Sequence, residues 1–219
     1  MSAFCFSRPA RPFVIAHRAA NDLRALRHFQ GLVDMVEGDV WLHGGRLEMS
    51  HARPWPVRVE RWKVTPPWRP RIHLPDVLAA LSPEKGLMLD LKGHDLRLSS
   101  AVSEVLAEES RPLIVSAGDW RLLRLLPAQL KALRAYTVED ARGLGALEEL
   151  SPDGDVGVSV RLQLLDGALV SRLHERGWPV IAWPVISEAE LGRLLAWGVD
   201  GIVSKEPSVL KLSKAAQRR

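Results

Sequence analysis

Residues 87–116, LMLDLKGHDLRLSSAVSEVLAEESRPLIVS, hold one complete structural unit. Leu87–Lys92 is a β-rich run, Leu96–Glu109 repeats its apolar residues at helical spacing, and Pro112–Ser116 is a second β-rich run. Two strands joined by a crossover of this length lie parallel, because an antiparallel return needs only a short turn.

Working outward, the same alternation continues. β-rich runs at Phe13–Ala16, Met35–Trp41, Ala132–Tyr136, Val156–Val160, Pro179–Trp183 and Gly201–Ser204 bring the total to eight. Helical patterns lie at Pro75–Leu81, Asp119–Leu126, Val138–Leu150, Leu162–Arg176 and Glu188–Trp197. Eight such units predict an α/β fold, a closed (β/α)8 TIM barrel. No Gly-x-Gly-x-x-Gly follows the first run, which argues against a doubly wound dinucleotide fold. The 219 residues, 47% hydrophobic and 26% charged, suit one globular domain over 1–219 and exclude a disordered chain. No apolar run is long enough to span a bilayer, and Pro9, Arg11 and Pro12 interrupt any signal-peptide pattern, so a cytoplasmic protein is expected. The single cysteine, Cys5, excludes an internal disulfide framework.

Arg46–His51 departs from the parallel scheme. It follows the second strand after a short Gly44-Gly45 link and predicts a β-hairpin extension. A strict two-residue turn would pair residue 38 with 51 and put His51 on the face opposite Glu37 and Asp39. Convergence of the three therefore predicts a three-residue loop or a bulge.

In such barrels chemistry collects at the C-terminal ends of the strands. The first run ends in His17-Arg18, the second carries Glu37 and Asp39, the third carries Asp90 and Lys92, and the seventh ends in Trp183. Residues two apart share a face of a strand. Three clustered carboxylates repel unless a cation or protons neutralise them, and a hard ion, Mg²⁺ or Ca²⁺, suits an all-oxygen site. His17 and His51 near the same mouth can exchange protons near neutral pH. His28, His43, His73, His94 and His174 are read as surface residues.

Charge is uneven. Residues 53–71 carry +5 while the whole chain carries +4, so the basic character is local. Segment 52–76 also holds six prolines and Trp55, Trp62 and Trp68, and reads as a long irregular loop over the active-site face. Tryptophans among basic residues suit peripheral contact with an anionic membrane. No nucleic-acid-binding motif accompanies them, and no nucleic acid partner is expected.

On these residues the sequence resembles the glycerophosphodiester phosphodiesterase family. Ala16-His17-Arg18 is similar to its His-Arg-Gly, Glu37-Gly38-Asp39-Val40 to its Glu-x-Asp-Val, and Ser50-His51 to its second His motif. Leu89-Asp90-Leu91-Lys92 resembles its acidic-x-Lys strand, Trp183-Pro184-Val185 its Trp-Thr-Val, and Val199-Asp200-Gly201-Ile202 its last strand. Ala19 and Ala52 depart from the pattern, Asp90 stands where most members have Glu, and the His17-to-Glu37 spacing resembles the spider-toxin phospholipase D branch. The resemblance implies a phosphodiesterase acting on glycerophosphodiesters or lysophospholipids. It implies Glu37, Asp39 and Asp90 as metal ligands and Arg18 and Lys92 as phosphate binders. His17 and His51 would be the acid/base pair and Trp183 a pocket wall. It also implies release of an alcohol with either glycerol phosphate or a cyclic phosphate. A phospholipase D-like cyclising enzyme and a non-catalytic phosphate- or lipid-binding barrel are the alternatives.

Overall fold

The computed structural model describes residues 11–53, 70–151 and 154–217, and the backbone of 58–60 and 63–65. In chain order the elements are β1 Phe13–Ala16, α1 Leu23–Phe29, β2 Met35–His43, β3 Arg46–Met49, β4 Arg58–Glu60, β5 Lys63–Thr65, α2 Leu74–Ala80 and β6 Gly86–Leu91. They continue with α3 Arg97–Leu106, β7 Leu113–Ala117, α4 Trp120–Arg124, β8 Leu133–Val138, α5 Ala141–Glu148, β9 Val156–Arg161, α6 Gly167–Glu175, β10 Val180–Trp183, α7 Glu188–Trp197, β11 Gly201–Ser204 and α8 Pro207–Ala216.

Eight of these strands pair in parallel in the order β1-β11-β10-β9-β8-β7-β6-β2, and β2 returns to β1 through Ile15↔Met35 and Ala16↔Val36. The sheet is closed, a helix follows each barrel strand, and the fold is a (β/α)8 TIM barrel. Asp or Ser at the strand-to-helix joint starts five of the helices. Asp22, Asp119, Asp140, Asp166 and Ser187 each accept from backbone N–H groups of the first turn. Helix α1, which the periodicity leaves unassigned, begins in this way at Asp22.

Two apolar layers hold the barrel together. Ile15, Met35, Met88, Ile114, Leu133, Ile181 and Val203 fill its interior, while a larger cluster packs strands against helices. The interior plug closes the barrel below its C-terminal mouth, so polar strand ends meet there over a solid floor. At the other end Asp34 accepts from Val14 N at 2.9 Å, Lys214 Nζ at 2.5 Å and Gln217 Nε2 at 2.7 Å, tying α8 to the first strands. His174 is not a surface residue. Its Nε2 lies 2.8 Å from Asp200 Oδ2, with the side chain 11% exposed.

The hairpin corrects one expectation. β2 and β3 pair His43↔Arg46 across a two-residue Gly44-Gly45 turn, with no bulge in the register. Both glycines have positive φ, 55° and 74°, as such a turn requires. His51 nevertheless turns back, because β3 ends at Met49 and the chain bends at His51 and Ala52. Trp41 Nε1 donating to Ser50 O at 2.9 Å and Ser50 Oγ donating to Ala52 O at 2.9 Å fix that bend. Segment 52–76 is also less irregular than expected. β4 and β5 form a separate antiparallel ribbon, and α2 begins at Leu74. Trp55, Trp62, Trp68 and the expected cover over the barrel mouth lie outside the described residues.

Candidate active site

The C-terminal barrel mouth holds a cavity of about 110 Å³. All eight side chains singled out in the sequence line it: His17, Arg18, Glu37, Asp39, His51, Asp90, Lys92 and Trp183. Three features of the backbone make this possible. In β2 and β6, Asp39 pairs with Asp90 in register, so the inward positions of neighbouring strands meet. Arg18 adopts a left-handed conformation, φ 56° and ψ 18°, which aims its N–H at Glu37 Oε2, 2.5 Å away. Gly38 permits close approach. A Cβ there would lie 2.7 Å from Ala20 Cβ and 2.9 Å from Asn21 Oδ1. Asn21 is thereby set against Asp39, donating from Nδ2 to Oδ2 at 2.7 Å and accepting from the Asp39 N–H at 2.8 Å.

One oxygen from each of Glu37, Asp39 and Asp90 lies within 4.8 Å of the others. Their environments differ. Asp39, 2% exposed, has Lys92 Nζ 3.1 Å and His51 Nδ1 3.4 Å away as well as Asn21. Burial alone would raise its carboxyl, but the His51 hydrogen bond, the Lys92 charge and Asn21 outweigh it and hold Asp39 below the ordinary range. Burial and the charges of Asp39 and Asp90 outweigh the Arg18 N–H and the Lys92 charge at Glu37, and hold it well above that range. Burial also raises Asp90, with Lys92 and Ser116 Oγ offsetting it. Lys92 is charged: burial opposes this, but Asp90 and Asp39 outweigh burial and raise it. Two raised carboxyls beside a third that stays ionised make a site short of positive charge, and an all-oxygen donor set of this kind fits a hard divalent ion.

Burial, with the charges of Arg18 and Lys205, pushes the His17 imidazole down to about 3, so it is neutral at pH 7. Its Nε2 lies 3.9 Å from Glu37 Oε2. His51 Nε2 lies 2.7 Å from Arg18 Nη2. An arginine can only donate, so Nε2 accepts and the ring proton sits on Nδ1, facing Asp39.

Sequence reading missed Asn21, Ser116, Thr137, Glu139 and Ser159. Ser116, Thr137, Glu139 and Ser159 line the cavity, while Asn21 braces Asp39. Ser116 and Ser159 were findable as single polar residues inside apolar strands. Asn21 acts through a turn that no motif marks.

The family profile of glycerophosphoryl diester phosphodiesterases matches residues 78–209, more than half of the chain. The chain belongs to the glycerophosphoryl diester phosphodiesterase family and is a phosphoric diester hydrolase. A search of curated proteins found no match. Among solved structures it is similar to a phosphodiesterase from Oleispira antarctica in complex with the product sn-glycerol-3-phosphate. That pair is 22% identical over 94% of this chain and 97% of the other, with a TM-score of 0.74. It is also similar to a glycerophosphodiester phosphodiesterase from Thermotoga maritima (18% identity, 96% and 100% coverage, TM-score 0.70). A third, from Parabacteroides distasonis, gives 18% identity, 95% and 99% coverage and a TM-score of 0.71. At these identities the likeness is one of fold. No helix among the described residues is long and apolar enough to cross a membrane.

Proposed function

We propose that the barrel hydrolyses small glycerophosphodiesters, with Glu37, Asp39 and Asp90 holding one Mg²⁺ or Ca²⁺ ion. The observation that carries this is the meeting of three carboxylates, two imidazoles and two cations in one cavity at the mouth. A bound ion would act as a Lewis acid on a phosphate oxygen. Arg18 and Lys92 attract the remaining phosphate oxygens, Arg18 through a forked donor and Lys92 as a point charge.

The two histidines suit different halves of the reaction. His17 lines the mouth with its Nε2 3.9 Å from Glu37 Oε2, and serves as the base that takes the proton from the attacking hydroxyl. His51 has Asp39 beside Nδ1, and once Arg18 turns to the phosphate its Nε2 is free to carry the proton given to the departing alcohol, so it serves as the acid. The new P–O bond forms as the ester P–O bond breaks, and the proton lost by the nucleophile is matched by the one given to the alcohol. In this reading a single domain carries the whole activity, on a cytoplasmic small molecule.

The test is choline release from glycerophosphocholine and from lysophosphatidylcholine. His17→Ala and His51→Ala are each expected to lower kcat by roughly 10²–10⁴-fold. With a p-nitrophenyl ester, whose leaving group needs no proton, His51→Ala recovers most of its loss and His17→Ala does not. Equal losses on both esters would remove the acid role from His51.

A further inference from the structure

Strand β2 does not stop at the barrel mouth. Its last pairing with β6 is Val40↔Leu91, yet it runs on to His43. Alternate residues of a strand share a face, so the face that carries Glu37 and Asp39 inside the barrel carries Trp41 and His43 outside it. There they line a second cavity, of about 500 Å³, together with Arg53, Lys92, His94 and Asp95. Lys92 lines both cavities and joins them.

The indole of Trp41 is held in place on two sides. Its Nε1 donates to Ser50 O at 2.9 Å, and its ring lies against Gly93, where a Cβ would come within 2.9 Å of Cζ3. Gly93 also has φ 83°, so both its conformation and its missing side chain seat the ring. Ser50 directly precedes His51, and Arg53 follows two residues later. An alcohol that receives its proton from His51 therefore departs beside this second cavity. The charge of the cavity favours an anion. Arg53 is exposed and Lys92 is charged. Asp95 does not cancel them, because Arg97 holds its carboxylate through Nη2 at 2.7 Å and Nε at 3.0 Å. Arg53 also opens the segment 53–71, which carries +5.

We propose that this second cavity is the subsite of the leaving alcohol, and that it selects an alcohol bearing a second anionic group, a phosphorylated polyol. Lys92 lies between the two phosphates, Arg53 and His43 face the outer one, and Trp41 offers its ring to the carbon face of the polyol. This deepens the reading above and rests on its acid role for His51.

The test measures kcat/KM in Mg²⁺ for glycerophosphoinositol and for glycerophosphoinositol 4-phosphate, which differ only in the phosphate on the leaving alcohol. Wild type is expected to prefer the phosphorylated ester by about tenfold at low salt. The preference should shrink toward parity in about 0.5 M KCl, because both partners are solvent-accessible charges. Arg53→Gln should reduce the low-salt preference by about 3- to 5-fold, and Arg53→Glu should reverse it. Arg53 is exposed, so neither substitution threatens the fold. Glycerophosphocholine serves as the reference substrate. Wild type that cleaves it but shows no preference between the two inositol esters would overturn this inference alone, as would a preference that Arg53→Glu leaves unmoved. Wild type that cleaves none of the three would overturn the phosphodiesterase reading and this inference together.

Discussion

The strand ends of β1, β2 and β6 and the bend after β3 crowd together three carboxylates, two imidazoles and two cations. The ends of β7 to β10 form a wall neutral but for Glu139, with two serines, a threonine and an indole. The charged wall is heavily cross-linked. Asp39 alone meets Asn21, His51, Lys92 and Arg18. On the second wall Thr137 Oγ1 and Trp183 Nε1 have no hydrogen-bond partner among the described residues. Charge that must be stabilised in a transition state needs dipoles and ions already in place, so rigidity is useful there. On the second wall the fold leaves polar capacity unused. The family match, residues 78–209, spans Asp90, Lys92 and the neutral wall, whereas His17, Glu37, Asp39 and His51 precede it.

The largest expected effect tests whether the charged wall is preorganised. Lys92→Met leaves Asp39 and Asp90 without their shared cation. Its kcat/KM should fall by roughly 10²–10³-fold, and its melting temperature should fall too, because buried carboxylates lose their partner. Steady-state kinetics and calorimetry check both.

A second pair of substitutions separates the carboxylates within that wall. Glu37→Gln replaces a group already held toward its neutral form, so the metal-free protein should melt as high as wild type or higher, while stabilisation by Mg²⁺ disappears. Asp39→Asn disrupts the pairing with Lys92 and His51 and should lower the melting temperature by about 4–8 °C, from roughly 2 kcal/mol. Identical melting of the two variants would mean the carboxylates share one environment.

The pH dependence follows from the same contrast. Glu37 and Asp90 are raised above their unfolded values, so the stability they contribute is full at low pH and is lost as pH rises through the folded values. A metal ion displaces those protons and reverses the loss. The increase in melting temperature on adding Mg²⁺ should therefore be smallest at acid pH and grow as pH rises. His17 works in the opposite sense in the metal-free protein. Its folded value of about 3 lies below the unfolded 6.5, so the stability tied to its neutral form declines as pH falls between the two.

The smallest effect probes the seam between the walls. Ser116 Oγ donates to Asp90 Oδ1 at 3.3 Å. Ser116→Ala should weaken metal binding by about tenfold, the lower end for a residue that supports a ligand. Unchanged affinity would make the walls independent.

The charged wall was the more legible of the two. Glu37-x-Asp39 and Asp90-x-Lys92 announce themselves because charges two apart in apolar strands must face the same way. The barrel was legible for a related reason: eight strand-and-helix periods leave few other closures. The neutral wall was not, since serine and threonine occur freely in strands and only the register Thr137↔Ser159 brings them side by side. His51 was placed correctly by a wrong route. Its convergence with Asp39 comes from the bend after Ser50 and not from a bulge, a choice set by the Trp41 and Ser50 hydrogen bonds that hairpin rules do not encode.

The most direct measurement is a calorimetric titration of EDTA-stripped protein with Mg²⁺ and with Ca²⁺, paired with glycerophosphocholine hydrolysis at each point. The account predicts one site per chain, absent in Asp90→Asn, and a rate that rises in step with its occupancy. Full hydrolysis by stripped protein with no ion bound would contradict it.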